Sequence, residues 1–129
     1  MADVNRGNRP LSPHLTVYRP YLSMMMSITH RITGVALTLG LGLIICWFLA
    51  AAIGPEVFAL ADAALTSIIG LIVLVGSLWA LWYHFANGLR HLWWDTGHGF
   101  DLRQVHITGL IALAVSVLLT ALTVGFALL

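Results

Sequence analysis

Two stretches of this chain carry residue types that can do chemistry, and their spacing gathers each set on one helix face. At about 100° per residue, Ser77, Ala80, His84, Gly88, His91 and Asp95 fall on a single stripe. Small residues alternate there with imidazoles and a carboxylate. Such a face leaves room for a flat cofactor with a nitrogen ligand, and a haem would fit. Nearer the N-terminus, Ser27, His30, Arg31, Gly34 and Thr38 follow the i, i+3, i+4, i+7 spacing and also share a face. An Arg at the start of an apolar run can be a mere snorkelling anchor. A Ser and a His on the same face point instead to a cationic, hydrogen-bonding corner, because polar groups at membrane depth usually face a site.

His84 and His91 cannot both ligate one iron. Seven residues on a helix separate them by roughly 10 Å along the axis, and they project in the same direction. If His84 is a ligand, its partner comes from another helix, in this chain or another. Spacing alone leaves a second reading of His84 equally open, as a buried, hydrogen-bonded packing residue.

The elements that must position these residues cross a membrane. The chain has 129 residues, of which 60% are hydrophobic and only 9% charged. Soluble domains carry roughly 25% charged residues, so this chain lacks the polar surface to cover itself with. Ile32–Pro55, Ala63–Leu89 and Gln104–Leu129 contain no Asp, Glu, Lys or Arg. Each exceeds the roughly 20 residues that a helix needs to cross the hydrocarbon core. The expected fold is therefore an all-α membrane protein, a single domain over 1–129 with transmembrane helices at about 27–53, 63–95 and 104–128. Residues 1–22 are broken by Pro10, Pro13 and Pro20, and Leu11, Leu15, Val17, Tyr18, Tyr21 and Leu22 make them amphipathic enough to lie on the membrane or a partner. Met24–Met26 read as interfacial filler, with a soft contact surface for a peripheral subunit as the alternative.

Charge sets the expected orientation. The six basic residues are all Arg, at 6, 9, 19, 31, 90 and 103. Four precede or open the first span and two lie between the second and third, whereas the first connection carries Glu56 and Asp62. The positive-inside rule then places the N-terminus in the cytoplasm and the C-terminus in the periplasm. Trp79, Trp82 and Trp93 are expected to face lipid or the interface, away from the histidine stripe. On the third span Gly109, Ala112, Ser116, Thr120, Thr123 and Ala127 form a small-residue packing seam. No signal or transit peptide is read at the N-terminus. The lone Cys46 excludes disulfides and cluster ligation within the chain. All six histidines fall at or near the cytoplasmic side, so haem binding is available at the inner side alone.

Arg9-Pro10-Leu11-Ser12-Pro13-His14-Leu15, Ser27-Ile28-Thr29-His30-Arg31-Ile32-Thr33-Gly34 and His84-Phe85-Ala86-Asn87-Gly88-Leu89-Arg90-His91-Leu92-Trp93-Trp94-Asp95 occur in that order. With the length and the three spans, they strongly resemble the cytochrome b556 membrane-anchor subunits of succinate dehydrogenase, over essentially the whole chain. The resemblance implies that His84 is an axial ligand of one haem b, iron being the metal, with the other ligand supplied by a second membrane-anchor subunit. It implies that Ser27 and Arg31 line a ubiquinone site beside the iron–sulfur subunit, and that His30 and Arg31 lie near the haem propionates. For His91 and Asp95 it implies, less specifically, a propionate contact or a proton route. His14, His98 and His106 match no site of the family.

The chemistry agrees. Guanidinium keeps its charge when partly desolvated and donates several hydrogen bonds, and quinone reduction builds negative charge that Arg31 and Ser27 could stabilise. Electrons cannot originate in a chain without flavin motif or cluster cysteines, so they must come from a docked soluble partner, which the resemblance implies to be the iron–sulfur and flavoprotein subunits. The implied function is a haem- and ubiquinone-binding anchor of complex II, linking the tricarboxylic acid cycle to electron transport and catalytic only in the assembly. The expected surroundings are a bacterial inner membrane, with lipid and no nucleic acid as partner. Two rivals stand beside it: the anchor of a quinol:fumarate reductase, and a haemless structural anchor.

Overall fold

The computed structural model describes residue 14 and residues 17–129. Four helices follow in order: α1 (Leu22–Ile53), α2 (Pro55–Thr66), α3 (Ile68–Asp95) and α4 (Leu102–Ala127). Among the described residues there is no strand. Three of the four are long and apolar enough to cross a membrane, namely α1, α3 and α4. The expected all-α architecture with three spans is the one observed. Of the residues that carry the amphipathic reading of 1–22, Leu11 and Leu15 lie outside the described residues; Val17, Tyr18 and Tyr21 are exposed and Leu22 is half-buried against the core.

The first connection departs from expectation. Composition alone makes Ala63–Leu89 one uninterrupted span, but the chain turns a corner at Ser67 and residues 55–66 form a separate helix. Gly54, at φ 152°, ends α1, and Pro55 opens α2 at the one helical position where its missing N–H costs nothing. At the far end Ser67 caps α3, its Oγ accepting from the Gly70 amide at 3.1 Å. A Cβ at Gly70 would overlap the carbonyl oxygens of Ala64 and Leu65, so no other residue fits that corner. The Trp47 indole donates to Asp62 Oδ1 at 3.2 Å and ties α2 back to α1.

Helix α3 is central. It packs along α4 on one side and α1 on the other, and α1 and α4 meet much less. The small core comprises Met26, Tyr83 and Ala112, flanked by Leu22, Trp79, Ala86 and Leu113. Gly109, Ala112 and Ser116 are buried as the expected packing seam, whereas Ala127 at its end is exposed. Two sequence readings are corrected here. Trp82 does not face lipid: its Nε1 donates to Thr123 Oγ1 at 3.2 Å, across α3–α4. Trp79 is half-buried, stacked on Tyr83 with ring centroids 5.3 Å apart. An indole N–H has no acceptor in hydrocarbon, and the threonine of the small seam provides one. Met26 likewise is not filler; it is buried and overhangs Gly109, where a Cβ would come 2.7 Å from its Sδ.

After Asp95 the chain reverses through Gly97 (φ 84°) and Gly99 (φ 81°), both in the left-handed region. Gly97 N–H donates to Trp94 O at 2.8 Å and closes the end of α3. Trp94 Nε1 then donates to Gly99 O at 3.1 Å, pinning the loop under the end of α3.

Candidate functional site

The histidines of the two motifs meet in the groove between α1 and α3. His30 and His84 stack with centroids 3.8 Å apart and planes 12° from parallel. His91 lies two turns further along α3, its ring 5.2 Å from that of His30. This close approach depends on Gly34, where a Cβ would come 3.2 Å from His84 Cε1.

Hydrogen bonding fixes which nitrogen of His84 carries the proton. His84 Nδ1 lies 3.1 Å from the carbonyl oxygen of His30, an atom that can only accept. Thr33 Oγ1, 3.2 Å from the same nitrogen, gives its own proton to that carbonyl at 2.9 Å and can therefore accept from the ring. Both contacts require a proton on Nδ1. Nε2 is left with its lone pair and no hydrogen bond among the described residues. A backbone carbonyl holding Nδ1–H is the arrangement that orients imidazoles for metal ligation.

These residues suit a haem in further respects. A Cβ at Gly88, one turn from His84 on the same stripe, would meet nothing within 4 Å, so the helix backbone there is open to a flat group. On the other side of His84, the α1–α3 groove continues into an apolar cleft of about 430 Å³, lined by Leu37, Gly40, Leu41, Ile44, Ser77 and Leu81 among others. The stacked geometry also excludes His30 as the opposite ligand. Imidazole lone pairs lie in the ring plane, so parallel stacked rings direct them side by side and not at a common ion. No three His, Cys, Asp or Glu among the described residues are placed to hold a metal ion together.

The remaining sequence candidates are arranged around this cluster without joining it. Arg31 is exposed on the adjacent face of α1, beside a shallow apolar groove formed with Ile32, Val35, Ala36 and Leu39. Ser27, one turn earlier on the same face, is half-buried. Among the described residues neither makes a side-chain hydrogen bond. Asp95, the last residue of α3, is exposed.

One buried polar face escaped the sequence reading. Tyr83, Asn87 and Arg90 are buried, Asn87 at 0% exposure and Arg90 at 6%. The orientation argument counts Arg90 as a loop cation, but it lies inside α3 and bonds α4. Its Nε donates to Thr108 Oγ1 at 3.0 Å, Nη2 to Val105 O at 2.7 Å and Nη1 to Asn87 Oδ1 at 3.3 Å. Its guanidinium also sits 4.2 Å from the Trp94 ring centroid, a cation–π contact. Tyr83 donates to Met26 O at 2.8 Å, tying α3 to α1. The signal was present in the spacing of Tyr83, Asn87, Arg90 and Trp94 at i, i+4, i+7 and i+11, which puts them on one face next to the histidine stripe.

Comparison with known proteins places the chain in a family. The chain is 54% identical over 123 residues to the succinate dehydrogenase cytochrome b556 subunit of Paracoccus denitrificans, covering 95% of each chain. It is 42% identical over 116 residues to the protein of that name from Rickettsia typhi, covering 90% of each. It is also 40% identical over 117 residues to the mitochondrial succinate dehydrogenase cytochrome b560 subunit of Sus scrofa, covering 87% of this chain and 68% of the relative. The family described as succinate dehydrogenase/fumarate reductase transmembrane subunit matches residues 5–123. With that match and those relatives, the chain belongs to the succinate dehydrogenase/fumarate reductase transmembrane-subunit family.

Proposed function

We propose that this chain is the haem b- and ubiquinone-binding anchor of a bacterial succinate dehydrogenase. In this reading it holds the iron–sulfur and flavoprotein subunits at the inner membrane and pairs with a second anchor subunit. The observation that carries the reading is His84, whose Nδ1 proton is committed to His30 O and whose Nε2 is free beside the open backbone of Gly88. His84 would hold the iron from one side. The second ligand would come from the partner anchor, because His30 is stacked on His84 and His91 projects from the same helix face. Bound there, the haem would supply a one-electron carrier within reach of the quinone. The residues of this chain do the rest. His30, Arg31 and His91, at the inner rim, offer donors to the propionates. Arg31 and Ser27 donate to the quinone oxygen on which negative charge grows. His91 and the exposed Asp95 pass protons from the cytoplasmic side. Succinate oxidation is favoured over fumarate reduction as the physiological direction because the relatives are named succinate dehydrogenase subunits.

Substitution of His84 tests the central assignment. In the purified complex His84→Ala is expected to abolish or shift the reduced-haem absorption band. An unaltered band would remove His84 from the iron, and a parent complex without any such band would favour the haemless anchor. For the quinone, Arg31→Ala is expected to lose at least 10-fold in quinone reduction, equivalent to about 1.4 kcal/mol of transition-state stabilisation. Succinate oxidation with an artificial acceptor should survive in the same preparation. Equal quinone turnover in variant and parent would take Arg31 out of the site.

A further inference from the structure

Helix α2 belongs neither to the spans nor to the histidine site. Its 12 residues make about 18 Å of helix, too short to cross a hydrocarbon core of about 30 Å. A helix of that length in an apolar chain is either a buried core element or one lying in the membrane boundary, and none of its residues is buried. It also lacks the polar outer face that a helix in water carries. Phe58, Ala61, Asp62 and Leu65 are half-buried and form the face turned to the bundle. Val57, Leu60, Ala63 and Ala64 make up the opposite face and are all exposed, Leu60 at 75%. Glu56, in the first turn, is the one charged residue on that side.

Two contacts of Trp47 set the depth of α2. Its ring packs on Phe58 with centroids 5.2 Å apart, and its indole N–H donates to Asp62 Oδ1 at 3.2 Å. Trp47 lies about 24 Å along α1 from Arg31, near the far edge of a hydrocarbon core whose near edge Arg31 marks. Indole rings collect at such edges, with the apolar body among acyl chains and the N–H toward a polar acceptor. Helix α3 begins at a similar level. Gly40 faces Ser77 across the groove, and from there the end of α1 is about 20 Å away and the Ser67 cap of α3 about 15 Å. The chain thus enters α3 about 5 Å deeper than it leaves α1, and α2 slopes inward across the boundary. At about 100° per residue, Trp47 and Ala50 lie on one flank of α1, and Gly34 and Leu41, beside His84 and the apolar cleft, lie on the other. In the proposed function the second anchor approaches His84, so α2 sits away from it. We infer that α2 is a membrane-boundary helix whose Val57, Leu60, Ala63 and Ala64 face lies among phospholipid acyl chains in the leaflet remote from the histidines, held at that depth by the Trp47–Asp62 bond. Lipid is the occupant because this face continues the exposed apolar surface of the spans, through Ile53 before it and Ile68 and Ile69 after it. The connection between the first two spans then belongs to the bilayer, with Glu56 at its water edge.

The test uses the assembled complex in lipid nanodiscs, with Cys46→Ala as background and a spin label on one introduced cysteine. Labels at Leu60→Cys and at Ala64→Cys are expected to collide freely with dissolved oxygen and to lose contact with a water-soluble nickel chelate, matching a label at Ile72→Cys on α3. Glu56→Cys should keep its contact with nickel. A label at position 60 or 64 that meets nickel as readily as the one at 56 would overturn the inference, because α2 would then lie in water. A benzophenone on Leu60→Cys separates the two apolar surroundings: photoadducts with phospholipid support the reading, and adducts with another subunit overturn it. Trp47→Phe keeps the ring and removes the donor, so the label at 60 should gain nickel contact. Equal contact in Trp47→Phe and parent would take the Trp47–Asp62 bond out of the proposal. The reduced-haem band of the same samples reports on the His84 assignment separately.

Discussion

At the residue scale the site depends on atoms smaller than a side chain. The orientation of His84 is held by a backbone carbonyl one helix away, and that carbonyl is within reach because residue 34 has no Cβ. Gly34→Ala is expected to be tolerated with a small displacement of the ring. Gly34→Val should push His84 off the His30 carbonyl, altering the haem band more than it alters assembly of the complex. If the valine variant shows the parental spectrum, the glycine is not what admits the ring. His91 and Asp95 were legible as residues on the right stripe, but their roles were not. Stripe membership gives direction, whereas a role requires knowing what stands opposite.

At the scale of elements, α3 serves two neighbours with adjacent faces. One face presents His84 and His91 to α1, and the next presents Asn87 and Arg90 toward α4. Arg90 works as a clamp: its three nitrogens each donate, two of them to α4 and one to Asn87. Arg90→Leu would leave the Asn87 Oδ1 acceptor buried without its donor, at about 1–3 kcal/mol, and would remove the bonds to Thr108 and Val105 across α3–α4. The expected result is a complex with lower thermal stability and looser haem, measured by melting in detergent. Arg90→Lys should recover part of the loss, since an ammonium has donors but not the planar fork. Gly109 makes the same interface possible from the other side, under Met26. Gly109→Leu is expected to destabilise by about 1–3 kcal/mol through overpacking, and a neutral result in the same melting assay would contradict the contact.

At the scale of the whole molecule, the chain hides very little of itself. Large apolar residues such as Leu39, Ile53, Leu60, Ile68, Ile72 and Phe126 are more than 60% exposed. Exposure of that extent is compatible only with lipid or other subunits as surroundings. In the proposed reading three spans would enclose a flat cofactor only in part: α1 and α3 would form one wall, and the ligand opposite His84 would come from outside the chain. Expressed without its partner anchor, this chain is expected to reach the membrane but to lack the normal b-type band. A full band from the chain alone would mean that both ligands are its own.

Apolar runs, charge and motif spacing by themselves determined the membrane location, the three spans, the seam on α4 and the faces on which the histidines lie. Those properties are local, because a helix's period and a segment's transfer free energy depend on its own residues. Tertiary structure alone decided that Trp82 points inward, that residues 55–66 break away as a separate helix, and that Met26 and Arg90 belong to the interior. It also decided which nitrogen of His84 carries its proton. All but the corner at Ser67 depend on a partner at least 15 residues away in the chain, and a hydrogen bond's donor has no direction until its acceptor is in place.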